Sequence, residues 1–218
     1  VHCNNCTSDL NAWVGLFAEF AECFGIKADK NKLFSTLYQK AMEGDKDCGG
    51  MIACNYYSGE PVTGLEEGRP MFLRRPDSHL GLANFMRSHL YASLATLKIG
   101  LDILLKEEDV KIDSITGHGG LFKTKGVGQS ILAAAMNAPI SVMETAGEGG
   151  AWGMALLAAY MLSKKDGQSL GDYLDSQVFA ERKSETMEPD LADVAGFEAY
   201  TKQYQACLAA EKAAVQAF

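Results

Sequence analysis

The feature that most constrains the fold is a strand, glycine turn and helix pattern that occurs twice between positions 111 and 163. Lys111 to Thr116 contains the β-branched residues typical of a strand, glycines then interrupt it, and Val127 to Ala138 has the apolar density of a helix. Ile140 to Met143 predicts a second strand, and a second glycine-rich stretch separates it from another predicted helix, Ala151 to Ser163. Strands and helices that alternate in this way are typical of an α/β domain.

The two glycine turns, Gly117–Gly120 and Gly147–Gly150, indicate where such a domain would bind a ligand. Glycine has no Cβ, so the backbone can approach a bound molecule closely, and the helix that follows begins with free N–H groups and a positive dipole end. This chemistry suits a nucleotide, and two such turns on neighbouring strands can hold an adenosine between two helix starts. The two common phosphate motifs are absent, because no Gly-Lys-Ser or Gly-Lys-Thr occurs and the G-x-G-x-x-G spacing fails at Phe122 and Trp152.

Composition excludes several other classes of protein. The chain has 218 residues, 47% of them apolar and 22% charged, which is enough to bury the core of one large domain or two small ones. Its net charge of −8 argues against a nucleic-acid partner. No apolar run approaches the roughly 18 residues of a membrane span. We therefore expect a cytoplasmic protein with neither a nucleic-acid nor a membrane partner.

The six cysteines predict neither a disulfide framework nor a zinc site. A chain of this length does not need disulfides to fold, so reduced thiols are the expected state. Cys3 and Cys6 form a C-x-x-C, but no second pair has the spacing of zinc ligands. Too little chain precedes them for a thioredoxin-like motif, and we assign them no function.

Outside the central pattern, most of the chain predicts helix. Thr7, Ser8 or Asp9 can cap the first helix, Asp29 the second, and Asp77 or Ser78 the longest. The long helix has leucines at spacings of three and four, which indicates core packing rather than a cofactor face. The segment from 164 to 188 is polar and predicts loop with a weak helix around Tyr173 and Leu174. The other predicted elements are helices Leu10–Phe24, Leu33–Ala41, Leu80–Lys106 and Glu198–Ala217, a strand Met51–Tyr57 and an extended piece Pro70–Arg74.

For several polar residues near the turns, the sequence is compatible with two different roles. His118 is either a polar residue at a strand end or a ligand contact, and Lys123 and Lys125 either meet a phosphate or are solvated. Glu144 and Glu148 are either solvated or hold Mg²⁺ through water. We assign no residue as a direct metal ligand.

Three large side chains are interpreted as structural. Trp152 is expected to pack in the core, with stacking on adenine as the alternative. His79 and His89 lie on or beside the long helix, where we expect surface or capping positions.

Taken in order, the motifs resemble the C-terminal half of the FGGY carbohydrate kinases and are nearest to xylulokinases. The resemblance rests on Ser58-Gly59-Glu60, the long helix, Ile115–Gly120 and Gly147–Ala158, and it extends from about Asn5 to the last helix. It implies a ribonuclease H-like α/β fold of the actin and hexokinase type, with a mixed central sheet and helices on both faces. Residues 1–218 would be one nucleotide-binding domain, with a peripheral helical insertion at 9–42, a core at 50–163 and a C-terminal helix at 190–218.

The resemblance also implies a set of nucleotide-binding residues. By position, the first adenosine turn of the family matches Gly119, Gly120, Leu121 and Lys123, and its second glycine turn lies near Gly147, Gly149 and Gly150. Gly117 and His118 complete the first turn and are included in the expected site. Ser58-Gly59-Glu60 matches a signature with a structural role.

This sequence departs from the family pattern at three places. His118 interrupts the glycine run, Leu121-Phe122 follow it where the family often has a small residue, and Pro61 replaces an arginine. These differences predict a divergent subfamily.

The implied function is one half of an ATP-dependent sugar kinase that uses ATP and Mg²⁺, with a ketopentose such as xylulose as the nearest acceptor. In the family, the catalytic aspartate and most of the sugar pocket belong to the N-terminal domain. The chain opens with Val1, where the second domain of the family is already under way, so we expect a fragment that does not transfer phosphate alone. The alternative is a non-catalytic α/β domain used for assembly or regulation, and a homodimer is left open.

Overall fold

The computed structural model describes residues 2–108, 110–143, 149–180 and 184–217. Within them, seven α-helices and five strands alternate with short 3-10 and π-helical turns. The elements are α1 (Ser8–Cys23), α2 (Lys30–Ala41), β1 (Met51–Cys54), β2 (Met71–Arg74), α3 (Leu82–Asp102), β3 (Ile115–Gly117), α4 (Val127–Met136), β4 (Ile140–Met143), α5 (Gly149–Ser163), α6 (Leu170–Tyr173), β5 (Ser184–Met187) and α7 (Leu191–Ala217).

The strands of the described residues form two sheets instead of the single central sheet that was expected. β1 and β2 pair antiparallel, with Met51 opposite Arg74. β3 and β4 pair parallel, with Ile115 opposite Ile140, and β5 joins β4 antiparallel. The second sheet is therefore mixed, as predicted, and its parallel pair places the ends of β3 and β4 side by side.

The core is built around α3. Met86, Leu90 and Leu94 are buried there, so the leucine-rich stripe of the sequence is a packing face, as predicted. α3 packs against α2, α4, α7 and β1. Aromatic residues of α7 complete the core, since Phe197 and Tyr200 lie against Tyr91 with ring centroids 4.6 and 5.3 Å away.

A buried arginine joins three of these helices. The Arg87 guanidinium pairs with the Asp193 carboxylate at the start of α7 and donates to the Tyr91 hydroxyl at 2.9 Å. It also donates to the carbonyls of Ala41 and Met42 at 3.4 Å, where α2 ends. Because a helix leaves its last carbonyls without partners, a buried donor at this point stabilises the end of α2.

Of the helix caps predicted for α2 and for the long helix, the first is observed and the second is not. Asp29 caps α2 as expected, because its side chain accepts from the Lys32 N–H at 2.8 Å. The long helix, however, begins after Gly81 without a side-chain cap, so Asp77 and Ser78 are not its caps. The Ser78 hydroxyl instead donates to the Gly50 carbonyl at 2.8 Å, which fixes the loop before the helix.

Two predicted strands are shorter in the structure. β1 ends at Cys54 because the Asn55 side chain turns to donate to the Cys6 carbonyl at 2.8 Å, and the Tyr57 N–H is taken by the Asn5 side chain, also at 2.8 Å. β3 begins only at Ile115, not at Lys111, since Ile115 is the first residue with a partner on β4.

The C-terminal third differs most from the prediction. Residues 184–187, expected as loop, form β5, which the Gln129 side chain of α4 holds by donating to the Glu185 carbonyl at 2.8 Å. α7 begins at Leu191 rather than Glu198 because the Asp190 side chain accepts from the Ala192 and Asp193 N–H groups. No helix of the described residues has the length and apolarity that a membrane crossing requires.

His89 corrects a further expectation. His79 is exposed, as predicted, and contacts Asp45 at 2.7 Å. His89, in contrast, is only 2% exposed and lies among aromatic side chains between α1 and α3. The aromatic residues at one-turn spacing on α1 and α3 form that cage, and a lone histidine on α3 gives no sequence signal of it.

Candidate functional site

The first glycine turn has glycines for different physical reasons. Gly117 is buried at the end of β3, and a Cβ there would lie 2.4 Å from the Phe122 ring, so this glycine makes room for a side chain rather than for a ligand. Gly119 has φ +108°, a conformation that side chains disfavour. At Gly120 an added Cβ would meet no atom within 4 Å, so this backbone faces open space.

The first turn does not open α4 directly, contrary to the predicted order. A 3-10 turn from Gly120 to Lys123 comes between them, and α4 begins at Val127. Leu121 in this turn is buried and belongs to the core. Its role as a nucleotide contact stays a prediction, and burial leaves little of its side chain accessible to a ligand.

The second turn contacts the first. An added Cβ at Gly149 would lie 3.2 Å from Nδ1 of His118, so the two turns meet at these residues. Gly150 faces open space and, with Gly149, begins α5. Gly147, together with Glu144 and Glu148, lies outside the described residues.

The two turns line an open groove of about 650 Å³, which we call the apolar groove. His118, Gly119, Gly149 and Gly150 are brought together here, as the sequence predicts. The rest of the lining is mainly apolar, and Trp152 packs edge-on against Phe179 with ring centroids 5.8 Å apart. The remaining lining residues are Met143, Gly153, Leu156, Leu157, Leu170, Leu174 and Phe179.

Gly117 lines neither this groove nor the next, and the other three described residues of the expected site line a second cavity, which we call the polar groove. It has a volume of about 400 Å³ and lies between the first turn and the helices α1 and α2. The turn contributes Gly120, Leu121, Lys123 and Thr124. The helical side consists of Thr7, Asn11, Asn31, Phe34, Ser35 and Tyr38.

Sequence reasoning missed the helical side of the polar groove because it placed residues 9–42 at the periphery. A signal was nevertheless present. Asn31, Ser35 and Tyr38 recur at spacings of four and three, which places polar groups on one face of α2. Thr7 and Asn11 are likewise four residues apart at the start of α1.

The polar groove contains donors, acceptors and one cationic side chain. Burial, and after it the neighbouring Cys6, raises the pKa of Tyr38 to about 12, so its hydroxyl stays protonated and can donate at neutral pH. Lys123 is the cationic residue of the groove lining. Lys125 is directed elsewhere, since it pairs with Glu185 of β5 at 3.1 Å, and its carbonyl accepts from Gln39 of α2 at 3.2 Å.

The start of α1 is fixed to the loop of the Ser-Gly-Glu motif. The buried Glu60 carboxylate accepts from the Asn4 and Asn5 N–H groups at 2.9 and 3.2 Å. The Asn5 side chain in turn donates to the Ser58 carbonyl at 3.1 Å. The motif therefore has the structural role expected of it, because it places the residues that lead into Thr7.

A protein-held metal site is not found among the described residues, since no three of their histidine, cysteine, aspartate or glutamate side chains cluster as ligands. Cys3 and Cys6 are free thiols. Burial, more than the nearby Glu60, raises the pKa of Cys3 to about 11. A thiol that stays protonated at neutral pH is a poor nucleophile and metal ligand.

Comparison with known structures relates this arrangement to sugar kinases. The fold is similar to xylulose kinase from Rhodospirillum rubrum, with a TM-score of 0.63 and 18% identity over 92% of this chain and 38% of that one. It is similar to xylulose kinase from Lactobacillus acidophilus, with a TM-score of 0.59 and 19% identity over 77% and 32%. Plasmodium falciparum glycerol kinase, solved with ADP, has a TM-score of 0.56 and 16% identity over 87% and 36%.

At these low sequence identities, the structural similarity establishes the fold and no more. The chain spans about a third of the length of these kinases. A sequence search of curated proteins found no match. Residues 1–162, however, match the family model of the C-terminal domain of FGGY carbohydrate kinases. The chain therefore belongs to the FGGY family of carbohydrate kinases, whose C-terminal domain it matches.

Proposed function

We propose that this chain is the adenosine-binding part of an ATP-dependent carbohydrate kinase with a ribonuclease H-like fold. The observation that carries the proposal is the polar groove beside the first glycine turn, in which exposed backbone, amide side chains, aromatic rings and a lysine face one cavity. A family of sugar kinases and a structural relative solved with ADP support the same ligand.

The chemistry of the polar groove matches each part of a nucleotide. Phe34 and Tyr38 supply aromatic surface for a base, and the Asn11 and Asn31 amides offer both donors and acceptors to its polar edge. Lys123 supplies positive charge for a phosphate, as a point charge that does not demand one geometry. Because a pocket for a small molecule needs a few convergent polar groups within apolar walls, this groove is the better nucleoside site of the two.

The apolar groove between the two glycine turns is the second place for the nucleoside. Four of the expected site residues, including His118, line this groove, which supports it as a nucleoside site. Its lining offers a base stacking surface in Trp152, but four of its eight side chains are leucines, which cannot form hydrogen bonds with ribose hydroxyls. We therefore place the nucleoside in the polar groove.

The acceptor and the catalytic base belong, in this proposal, to another part of the kinase. A ketopentose such as xylulose is the proposed acceptor because xylulose kinases are among the structural relatives. Mg²⁺ would arrive with the nucleotide phosphates, which fits the lack of a three-ligand cluster among the described residues. We propose that the protein works in the cytoplasm, where ATP is available.

Two matched glycine variants test which of the two grooves binds the nucleoside. Gly120 and Gly150 both face open space and neither has a positive φ, so aspartate is tolerated at both positions. Gly120→Asp places a carboxylate in the polar groove beside an anionic nucleotide, and we expect the Kd for Mg·ADP, measured by calorimetry on this chain, to rise about tenfold or more. Gly150→Asp, in the apolar groove, should leave that Kd unchanged.

The opposite pattern, in which only Gly150→Asp weakens binding, would move the nucleoside to the apolar groove. Thermal denaturation gives a second readout, because a ligand that binds only the folded state raises the melting temperature. If millimolar ATP or ADP with Mg²⁺ produced neither heat nor a melting shift, the non-catalytic alternative, a domain used for assembly or regulation, would replace the kinase proposal.

A further inference from the structure

A buried aspartate and histidine face each other beneath the start of α1. Oδ2 of Asp9 on α1 lies 3.0 Å from Nδ1 of His89 on α3, and both side chains are almost completely buried. Asp9 also accepts a hydrogen bond from Nε1 of Trp13, one helical turn further on, at 3.1 Å. Neither ring nitrogen of His89 makes a hydrogen bond of good geometry within the described residues.

Aromatic rings enclose this pair. The ring centroids of Phe85 and Trp13 lie 4.5 and 5.3 Å from that of His89, and Phe72 of β2 stacks on it at 5.8 Å. The Tyr57 hydroxyl is near Asp9, whose charge raises the pKa of this tyrosine in addition to the larger effect of burial. The pair is therefore shielded from water, and Asp9 is the charged group that the buried His89 ring contacts.

The position of the pair links it to the polar groove. Asp9 lies between Thr7 and Asn11 in the first turn of α1, and both of those residues line the groove. The first turn of α1 has no side-chain cap, since Thr7 makes none. Its orientation is instead set from one side by Glu60 through Asn4 and Asn5, and from below by the contact with His89.

We propose that Asp9 and His89 are positioning residues, which hold the start of α1 so that Thr7 and Asn11 face a bound nucleotide. The inference rests on the proposed function of the polar groove. Neither Asp9 nor His89 lines the groove, so both act through the backbone of α1. The physical basis is that a buried carboxylate becomes more costly when it loses one of its partners, so the helix start moves toward water when His89 is removed.

The test compares two substitutions of His89 in the whole chain. His89→Leu removes both ring nitrogens and leaves Asp9 with Trp13 and Tyr57, whereas His89→Asn keeps an N–H donor near the position of Nδ1. Phe197→Leu, in the core at α7, is the control that lowers stability away from α1. The two readouts are the Kd for Mg·ADP and the hydrogen exchange of the amides at residues 8–14.

We expect His89→Leu to raise the Kd by about tenfold, the effect of losing a groove hydrogen bond, and to accelerate exchange at residues 8–14. His89→Asn should recover most of both effects. Phe197→Leu should lower the melting temperature and change neither. If His89→Leu does not fold, Asp9→Asn, which removes the charge and keeps the shape, takes its place with the same expected directions.

Exchange at residues 8–14 that stays at the wild-type rate in His89→Leu would overturn the inference. It would also be overturned if exchange accelerated while the Kd for Mg·ADP stayed constant, since the pair would then stabilise α1 without positioning the site. Failure of the wild-type chain to bind Mg·ADP would instead remove the proposed function, and the exchange measurement would still decide whether the pair fixes α1.

Discussion

At the scale of single residues, Asp193 pairs with two cations of very different exposure. Its carboxylate contacts buried Arg87 of α3 and half-exposed Lys46 at 2.7 Å. Arg87→Met leaves Asp193 partly unpaired in the core, and it also removes the donors to the end of α2. We expect a loss of about 3–5 kcal/mol in the free energy of unfolding, measured by urea denaturation.

Lys46→Met is the matched control, because it removes a cation from the same carboxylate at the surface. Exposed ion pairs contribute about 0–1 kcal/mol, so its effect should be several-fold smaller. Equal losses for the two variants would mean that burial of the Arg87 pair does not determine its contribution.

Single residues also differ in how well the sequence predicts their surroundings. A capping aspartate at position 29 could be predicted, since the cap depends only on the next three residues. The environment of His89 could not, because Asp9 and Phe72, which face it, come from distant parts of the chain. Position on a helix face is a local property, but burial of a polar residue depends on what packs against that face.

At the scale of elements, a side chain of α4 joins the paired strands β4 and β5 to that helix. The Gln129 amide donates to the Ile140 carbonyl of β4 at 2.7 Å and to the Glu185 carbonyl of β5 at 2.8 Å, so it joins the two strands to the helix. Gln129→Leu leaves both carbonyls without this donor. We expect hydrogen exchange at residues 184–187 to accelerate by about fivefold or more, because the strand is exposed and short.

Exchange at residues 51–54 of β1 should stay constant in Gln129→Leu, because that strand belongs to the other sheet. Equal acceleration in both strands would indicate a global loss of stability rather than a local release of β5.

A comparison of β4 with β5 shows which kinds of element could be predicted from the sequence. β4 was predicted with its observed bounds because Ile140–Met143 is a short apolar run between a proline and a glycine-rich stretch. β5, Ser-Glu-Thr-Met, is polar and carries no alternation, and it is a strand because β4 and Gln129 supply its hydrogen bonds. Tertiary contacts thus override weak local preference.

At the scale of the whole molecule, the site combines segments that are far apart in the sequence. The two glycine turns were predicted to lie on neighbouring strands, and His118 does lie against Gly149, because β3 and β4 pair parallel. The polar groove was not predicted, since it requires α1 and α2 to pack beside Gly120, and no periodicity within either helix specifies that neighbour.

A second property of the whole molecule is the response of its folding stability to alkaline pH. Several weak acids are buried in one core, and their ionisation opposes folding. Burial raises the pKa of Cys48, Cys54, Tyr91, Tyr200 and Tyr204 above the ordinary values of 9.0 for cysteine and 10.0 for tyrosine. Above those values the unfolded chain loses these protons while the folded chain keeps them. The folded state then binds more protons than the unfolded state, so stability falls as pH rises.

We therefore expect the free energy of unfolding, measured with urea under reducing conditions, to fall steadily above pH 9. Each ionised group contributes a slope of about 1.4 kcal/mol per pH unit. Tyr204→Phe removes one of these groups, together with hydrogen bonds that include those of 3.5 Å to Thr96 and to Asn55, so its slope above pH 10 should be shallower by about that amount. Phe197→Leu, which removes no titrating group, should shift the curve without changing the slope. A Tyr204→Phe curve parallel to that of the wild type would show that ionisation of the buried core does not cause the alkaline loss.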